Sequence, residues 1–249
     1  MKIPILMYHQ IAQDVPQGAP LRGLIVRTST FARHMALMRM LGYRGLSLGD
    51  LMPYLRQEKT GKVFGITFDD GYENNLHNAL PVLQRHGFTA TCYAVSAAVG
   101  MTNAWDAGLG IAQVPLMDAA QLRQWCNAGQ EIGSHSKNHI RLAGLAPQDL
   151  QEELIESRAQ LSSILQSAGE VNHFCYPYGS VDAAALEAVR NAGYLTATTT
   201  QRGRLDTAQI QDVMQIPRVL VSRSTTWVHL MLKCFTRYED KRGAGGSEI

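Results

Sequence analysis

Short apolar runs rich in β-branched residues alternate with stretches of helical period through almost all of the 249-residue sequence. Such alternation predicts a mainly parallel sheet, because the crossover between two parallel strands usually takes a helix. The predicted strands cover residues 3–8, 63–68, 89–95, 130–133, 173–176, 195–199 and 213–221. About seven βα units in a chain of this length favour an α/β fold built as an incomplete or distorted barrel over an open sheet.

Nothing in the sequence divides the chain into parts. It has no low-complexity linker and no internal repeat, so we predict one domain over residues 1–242 and a flexible tail over residues 243–249. Helical spacing is clearest over residues 31–41 and 150–165, and residues 16–20 and 100–115 are predicted loops that could contribute to substrate selection.

The composition, 45% hydrophobic and 18% charged, is typical of a globular protein. A net charge of +2 without basic runs argues against nucleic acid as a partner.

The amino terminus indicates the compartment. Its apolar run is interrupted by Pro4 and ends at His9. This run is too short for a secretory signal peptide. No other apolar run approaches the roughly 18 residues that span a membrane. We therefore expect a cytoplasmic protein, although a chain trimmed of its leader would look the same. The widely spaced cysteines are predicted to be reduced core thiols: Cys92, Cys126, Cys175 and Cys234.

Two adjacent carboxylates, Asp69 and Asp70, come directly after the predicted strand 63–68. Neighbouring side chains on a regular strand point to opposite faces, so both acids enter one pocket only if the strand breaks here, and Gly71 permits that break. A turn or a helix cap would also explain an Asp-Gly pair. The carboxyl end of a strand is nevertheless where sites form in barrels of this kind.

His135 and His139 are separated by four positions, which predicts that they lie on one face of a single helical turn and could bind one divalent ion. This spacing also arises by chance, but the carboxylates at residues 69 and 70 supply the missing ligand. A third segment, Tyr176-Pro177-Tyr178-Gly179, is on composition alone a tight turn with a packed aromatic ring.

Taken together and in this order, three motifs resemble the polysaccharide deacetylase family, which is the NodB-homology group or carbohydrate esterase family 4. The motifs are Thr67-Phe68-Asp69-Asp70-Gly71, His135-Ser136-x-x-His139 and Tyr176-Pro177-Tyr178-Gly179. The resemblance covers roughly residues 1–221. It implies a distorted (β/α)7 barrel, similar to a TIM barrel, and a metal-dependent N-deacetylase of acetylated amino sugars.

The resemblance also implies roles for individual residues. Asp70, His135 and His139 would be the metal ligands and Asp69 the general base. The backbone N–H of Tyr178 would bind the oxyanion. Zinc is the expected ion, although two histidines and one carboxylate also suit iron, cobalt or nickel.

The sequence departs from the common family pattern at two places. The arginine that usually precedes the Pro-Tyr turn is absent, with Phe174 and Cys175 there instead, so the partner of the base is not identified. The late histidine motif that supplies the acid has one candidate, His229, which falls on the polar face of a predicted helix. The opening segment, residues 5–11, resembles the poly-N-acetylglucosamine deacetylase subgroup, in which a histidine after the first strand is the acid. We therefore assign the acid role to His9, with His229 as the alternative.

The predicted function is removal of N-acetyl groups from amino sugars of a cell-surface polysaccharide, or of its intracellular lipid-linked or nucleotide-linked precursor. Two alternatives stay open: hydrolysis of another non-peptide amide on the same barrel, and a non-catalytic carbohydrate-binding relative. A predicted helix over residues 225–238 has an apolar stripe and basic residues that would allow peripheral membrane contact, but we favour packing of this helix on its own domain.

Overall fold

Seven parallel strands form a closed barrel in the computed structural model, which describes residues 1–13, 18–208 and 212–243. The strands are β1 (Ile5–Tyr8), β2 (Val63–Phe68), β3 (Thr91–Ala94), β4 (Glu131–Ser134), β5 (His173–Cys175), β6 (Thr196–Arg202) and β7 (Ile216–Leu220). Each strand pairs in parallel with the next along the chain, and β7 pairs with β1. The predicted distorted (β/α)7 barrel is confirmed, and every predicted strand overlaps one barrel strand, although β4 and β6 extend beyond the predicted ends.

Among the described residues, five short strands lie outside the ring. Arg44–Leu46 pairs with the amino-terminal half of β2, Lys2–Ile3 pairs with Leu205–Asp206, and Gln10–Ile11 pairs with Ile25–Val26. The predicted strand 3–8 is divided at Pro4, because proline has no N–H to donate to a ladder. The barrel therefore begins at Ile5 rather than at Ile3.

Helices surround the barrel. They are α1 (Thr28–Met40), α2 (Leu48–Leu55), α3 (Glu73–Asn78), α4 (Leu80–His86), α5 (Ala119–Asn127), α6 (Pro147–Gln151), α7 (Ser157–Leu165), α8 (Ala183–Asn191), α9 (Trp227–Phe235) and α10 (Tyr238–Gly243). A π-helical turn, Glu152–Glu156, joins α6 to α7. Both predicted helical patterns are confirmed, since residues 31–40 lie in α1 and residues 150–165 follow α6, the π turn and α7.

The predicted helix over residues 225–238 is wrong in its extent. It ends at Phe235 because Thr236 has an extended backbone, and α10 starts separately at Tyr238. Leu230 and Cys234 pack into the core, whereas Trp227 is exposed. In the described ranges, no helix is both long enough and apolar enough to cross a bilayer. The predicted tail lies outside the described residues except for Gly243.

The four cysteines are buried and free, as predicted. They contribute to the protein interior rather than to a disulfide framework.

A contact between a carboxylate and an imidazole ring joins two strands near their amino-terminal ends. Oε1 of Glu131 lies 3.0 Å from Nε2 of His173. The Thr91 hydroxyl and the Gly49 backbone N–H donate to the other carboxylate oxygen at 2.6 and 3.1 Å. Burial alone would raise the pKa of Glu131, but His173 and these hydrogen bonds lower it. The contacts therefore stabilise the ionised carboxylate and tie β3, β4 and β5 to the start of α2.

We expect Glu131→Gln to lower the free energy of unfolding by about 2 kcal/mol near neutral pH, because the charged hydrogen bonds are lost. The pKa of Glu131 in the folded state lies below the ordinary value of 4.5. The carboxylate therefore adds to the free energy of unfolding above pH 4.5, and this contribution disappears as the pH falls through the folded-state pKa. Urea unfolding of wild type and variant from about pH 7 downward measures this. Glu58→Gln, at an exposed position, is the control. If the difference in the free energy of unfolding between wild type and Glu131→Gln does not change with pH, the electrostatic explanation is wrong.

Candidate metal centre and active site

The six predicted site residues line one cavity of about 280 Å³ at the carboxyl ends of the strands. His9 follows β1, Asp69 and Asp70 follow β2, and His135 follows β4. His139 lies in the loop after β4, and Tyr178 lies in the turn after β5. Parallel strands in a closed ring place their carboxyl ends on one rim, which explains how positions so far apart in the sequence converge.

Asp70, His135 and His139 form a compact buried cluster. Oδ1 of Asp70 lies 3.5 Å from Nε2 of His135 and 3.3 Å from Nε2 of His139. Nδ1 of His135 is 2.8 Å from the carbonyl oxygen of Cys175, and this contact is a hydrogen bond only if Nδ1 carries the proton. Nε2 of the same ring therefore faces Asp70. In His139, Nδ1 contacts the Tyr178 hydroxyl at 3.2 Å, so its Nε2 also faces Asp70.

This donor set fits a divalent cation. Two imidazole nitrogens and one carboxylate oxygen lie within 4.8 Å of one another, and the far nitrogen of each ring is held by a second contact. Burial alone would raise the pKa of Asp70, but the nearby histidines, His139 above all, hold it well below its usual range. An ionised carboxylate is the form that binds a metal.

A second set of three potential ligands, Asp69, His135 and Cys175, lies beside the first. It fits a cation poorly. The guanidinium of Arg218 donates to both oxygens of Asp69 and lies 3.2 Å from Sγ of Cys175. A metal ion bound there would face a permanent positive charge.

The backbone around the cluster differs from the prediction in two ways. Residues 135–140 form a loop rather than a helical turn, with left-handed φ angles of 64° at Ser136 and 57° at His139. The chain also turns at Asp70 itself, whose φ is 73°, and not first at Gly71. The helical-turn prediction was wrong because the spacing of two histidines does not report the backbone between them.

A buried carboxylate anchors this loop. Glu153 accepts hydrogen bonds from the backbone N–H groups of Lys137 and Asn138 at 3.0 and 2.9 Å, and from the Asn138 side chain at 2.6 Å. Glu153 lies in the π-helical turn and is 3% exposed. Turns of this kind often occur at functional sites. The sequence prediction did not include this residue, because a single glutamate within a helical pattern reads as a solvated side chain.

Arg218 on β7 is the main residue that sequence reasoning missed. Its guanidinium donates to both carboxylate oxygens of Asp69, at 2.6 and 2.8 Å, and both side chains are almost fully buried. Burial alone would raise the pKa of Asp69, but Arg218 lowers it, so the carboxylate is ionised. Arg218 contacts Cys175 and so reaches the position where the family usually has its arginine. The available signal was a lone charge within the predicted apolar strand 213–221.

His9 and His229 differ sharply in position. Nε2 of His9 is 3.9 Å from Oδ2 of Asp69, and its Nδ1 is buried with no hydrogen-bond partner among the described residues. His229 is exposed on α9, where its Nδ1 lies 3.4 Å from the Ser224 carbonyl oxygen. Only His9 of these two lines the cavity.

The fold and the site define a closed (β/α)7 barrel with paired aspartates and two histidines at one rim. Residues 56–197 match the family model described as polysaccharide deacetylase. YxkH of Bacillus subtilis, whose name assigns it to the same family, is 30% identical over 223 residues, covering 89% of this chain and 72% of YxkH. The chain belongs to the polysaccharide deacetylase family.

Two further proteins extend the comparison. The poly-β-1,6-N-acetyl-D-glucosamine N-deacetylase of Escherichia coli is 24% identical, over 88% of this chain but only 36% of that longer protein. The crystal structure of a polysaccharide deacetylase from Bacillus cereus superimposes with a TM-score of 0.79 and 25% identity, over 94% of this chain and 69% of that one. The similarity therefore extends over nearly the whole barrel.

We expect Arg218→Met to lower the free energy of unfolding by about 3 kcal/mol, because it leaves the Asp69 carboxylate buried without a partner. The double variant Arg218→Met/Asp69→Asn should recover part of that loss. Urea unfolding of wild type, both single variants and the double variant gives a double-mutant cycle. Arg85→Met, at an exposed position of α4, is the control. Additive losses in the double variant would show that the two residues are not coupled.

Proposed function

We propose that this chain is a metal-dependent N-deacetylase that hydrolyses the acetamido group of amino sugars in a cell-surface polysaccharide or its lipid-linked or nucleotide-linked precursor. The observation that carries the proposal is the pairing of two differently held carboxylates in one cavity. Asp70 faces two imidazole nitrogens, whereas Asp69 is ionised beside Arg218. Family membership and the similarity to a poly-N-acetylglucosamine deacetylase support the substrate class.

The residues that would hold the ion are Asp70, His135 and His139, and zinc is the ion that we propose, with iron, cobalt or nickel as alternatives for the same donor set. A bound divalent ion would supply polarisation of the acetyl carbonyl and a lowered pKa of the attacking water.

Asp69 acts as the general base in this proposal, because it is ionised and lies in the same cavity. Arg218 keeps it ionised and fixes its orientation through two hydrogen bonds. His9 donates a proton to the leaving amine nitrogen. The backbone N–H of Tyr178 helps to bind the oxyanion, in a turn where this residue adopts a φ of 57°.

Replacing Asp69 by Asn should leave metal content unchanged and reduce acetate release by about 100-fold or more, because the carboxamide cannot accept the water's proton. Asp70→Asn should lose the metal. Metal analysis and acetate release on N-acetylated sugars measure both, with Asp149→Asn at an exposed site as the control. Unchanged acetate release in Asp69→Asn would refute the base assignment, and full metal content in Asp70→Asn would refute the metal site. Acetate release by wild type would also exclude a non-catalytic carbohydrate-binding protein.

The acid role is tested by two histidine variants. His9→Gln should lower kcat by about 100-fold with little change in KM, since proton donation acts in bond cleavage rather than in substrate binding. His229→Gln should retain full activity, because this side chain is exposed and does not line the cavity. Full turnover in His9→Gln, or a large loss in His229→Gln, would reverse the assignment.

A further inference from the structure

The candidate catalytic cavity has aliphatic walls. Two segments contribute them: Leu21, Leu24 and Ile25 come from the segment between β1 and α1, and Leu109 and Ile111 come from the segment between β3 and α5. Leu21 and Leu109 are 48% and 65% exposed. These side chains belong to the same cavity as Asp70, His135 and His139, so a molecule that reaches the candidate metal centre meets them.

The aliphatic side chains do not serve the packing of the fold. None of the five belongs to the hydrophobic clusters that the described residues form, nor to the partly buried residues packed against those clusters. An apolar surface that contributes nothing to the core and borders a binding site indicates an apolar ligand group.

A sugar ring alone does not account for these walls. Hydroxyl groups placed against leucine and isoleucine lose their hydrogen bonds to water without replacement, which is unfavourable. Other groups that line the same cavity suit a sugar. Trp105 stacks on His139 with ring centroids 4.4 Å apart, and Tyr178 contacts the same ring, so an acetamido sugar is expected beside these aromatic residues. The aliphatic walls then remain for another part of the substrate.

We infer that the substrate is an N-acetylated amino sugar attached to an aliphatic chain, and that the residue 21–25 and 109–111 segments bind the beginning of that chain. This inference rests on the proposed function and narrows its substrate class to a lipid-linked sugar. A long hydrophilic glycan would place hydroxyl groups against these walls, whereas methylene groups gain from contact with them.

The test compares two glycosides of N-acetylglucosamine that differ only in the aglycone, octyl and methyl, with the octyl compound below its micelle concentration. Titration calorimetry measures their Kd, and acetate release measures kcat and KM. Each buried methylene contributes a factor of about four, so two or three of them should make octyl binding about tenfold tighter or more.

The variants Leu109→Asn and Leu21→Asn should remove this preference and retain binding of the methyl glycoside. Both positions are exposed, and the φ of 51° at residue 21 is one that asparagine tolerates, so the fold should not be affected. Leu195→Asn, 45% exposed and outside the cavity, is the matched control and should keep the preference.

The outcomes separate the inference from the proposed function. Equal Kd and KM values for the two glycosides would overturn the inference. A preference for the octyl glycoside that persists in Leu109→Asn and Leu21→Asn would also overturn it. In both cases, acetate release would still support the proposed deacetylase. Tighter binding of a penta-N-acetyl oligosaccharide than of the octyl glycoside would overturn it in favour of a polymer. Octyl-specific binding without acetate release would support the lipid site and count against the proposed reaction.

Discussion

Closure of the parallel ring is the constraint on which the site depends. β1 pairs with both β7 and β2, so the first and last strands of the barrel become neighbours. This brings Arg218 against Asp69, although the two lie 149 positions apart. Both groups are buried, and a lone charge in that position would be strongly unfavourable. The pairing therefore links the integrity of the barrel to the ionised state of the proposed base.

The candidate metal cluster depends on a strained and well-supported rim. Asp70, Ser136, His139 and Tyr178 all have left-handed φ angles, each of which costs on the order of 1 kcal/mol for a residue with a side chain. Such conformations persist only where neighbouring contacts hold them. Here the buried Glu153 carboxylate supports the loop between the two histidines. Rigid second contacts of this kind keep ligand nitrogens in a geometry that suits a cation before it binds.

Most of the fold followed from local patterns. Runs of apolar and β-branched residues marked all seven barrel strands, because strands that helices cover are rich in such residues. The motifs, together with the family resemblance that they carry, identified residues that converge on the cavity, from His9 to Tyr178. The helical turn between the histidines and the single helix to residue 238 were wrong, because periodicity cannot detect a left-handed residue or an extended one such as Thr236.

The sequence alone determined the positions of the barrel strands along the chain and indicated the candidate site residues, because both depend on local runs and short motifs. Only the tertiary structure decided which group faces which. Arg218, which is distant in the sequence, contacts both Asp69 and Cys175, and the Cys175 carbonyl selects which nitrogen of His135 faces Asp70. Contacts of this kind depend on distances in the folded structure, which the sequence does not show. These distances matter most for buried groups, because a charge removed from water is stable only beside its partner.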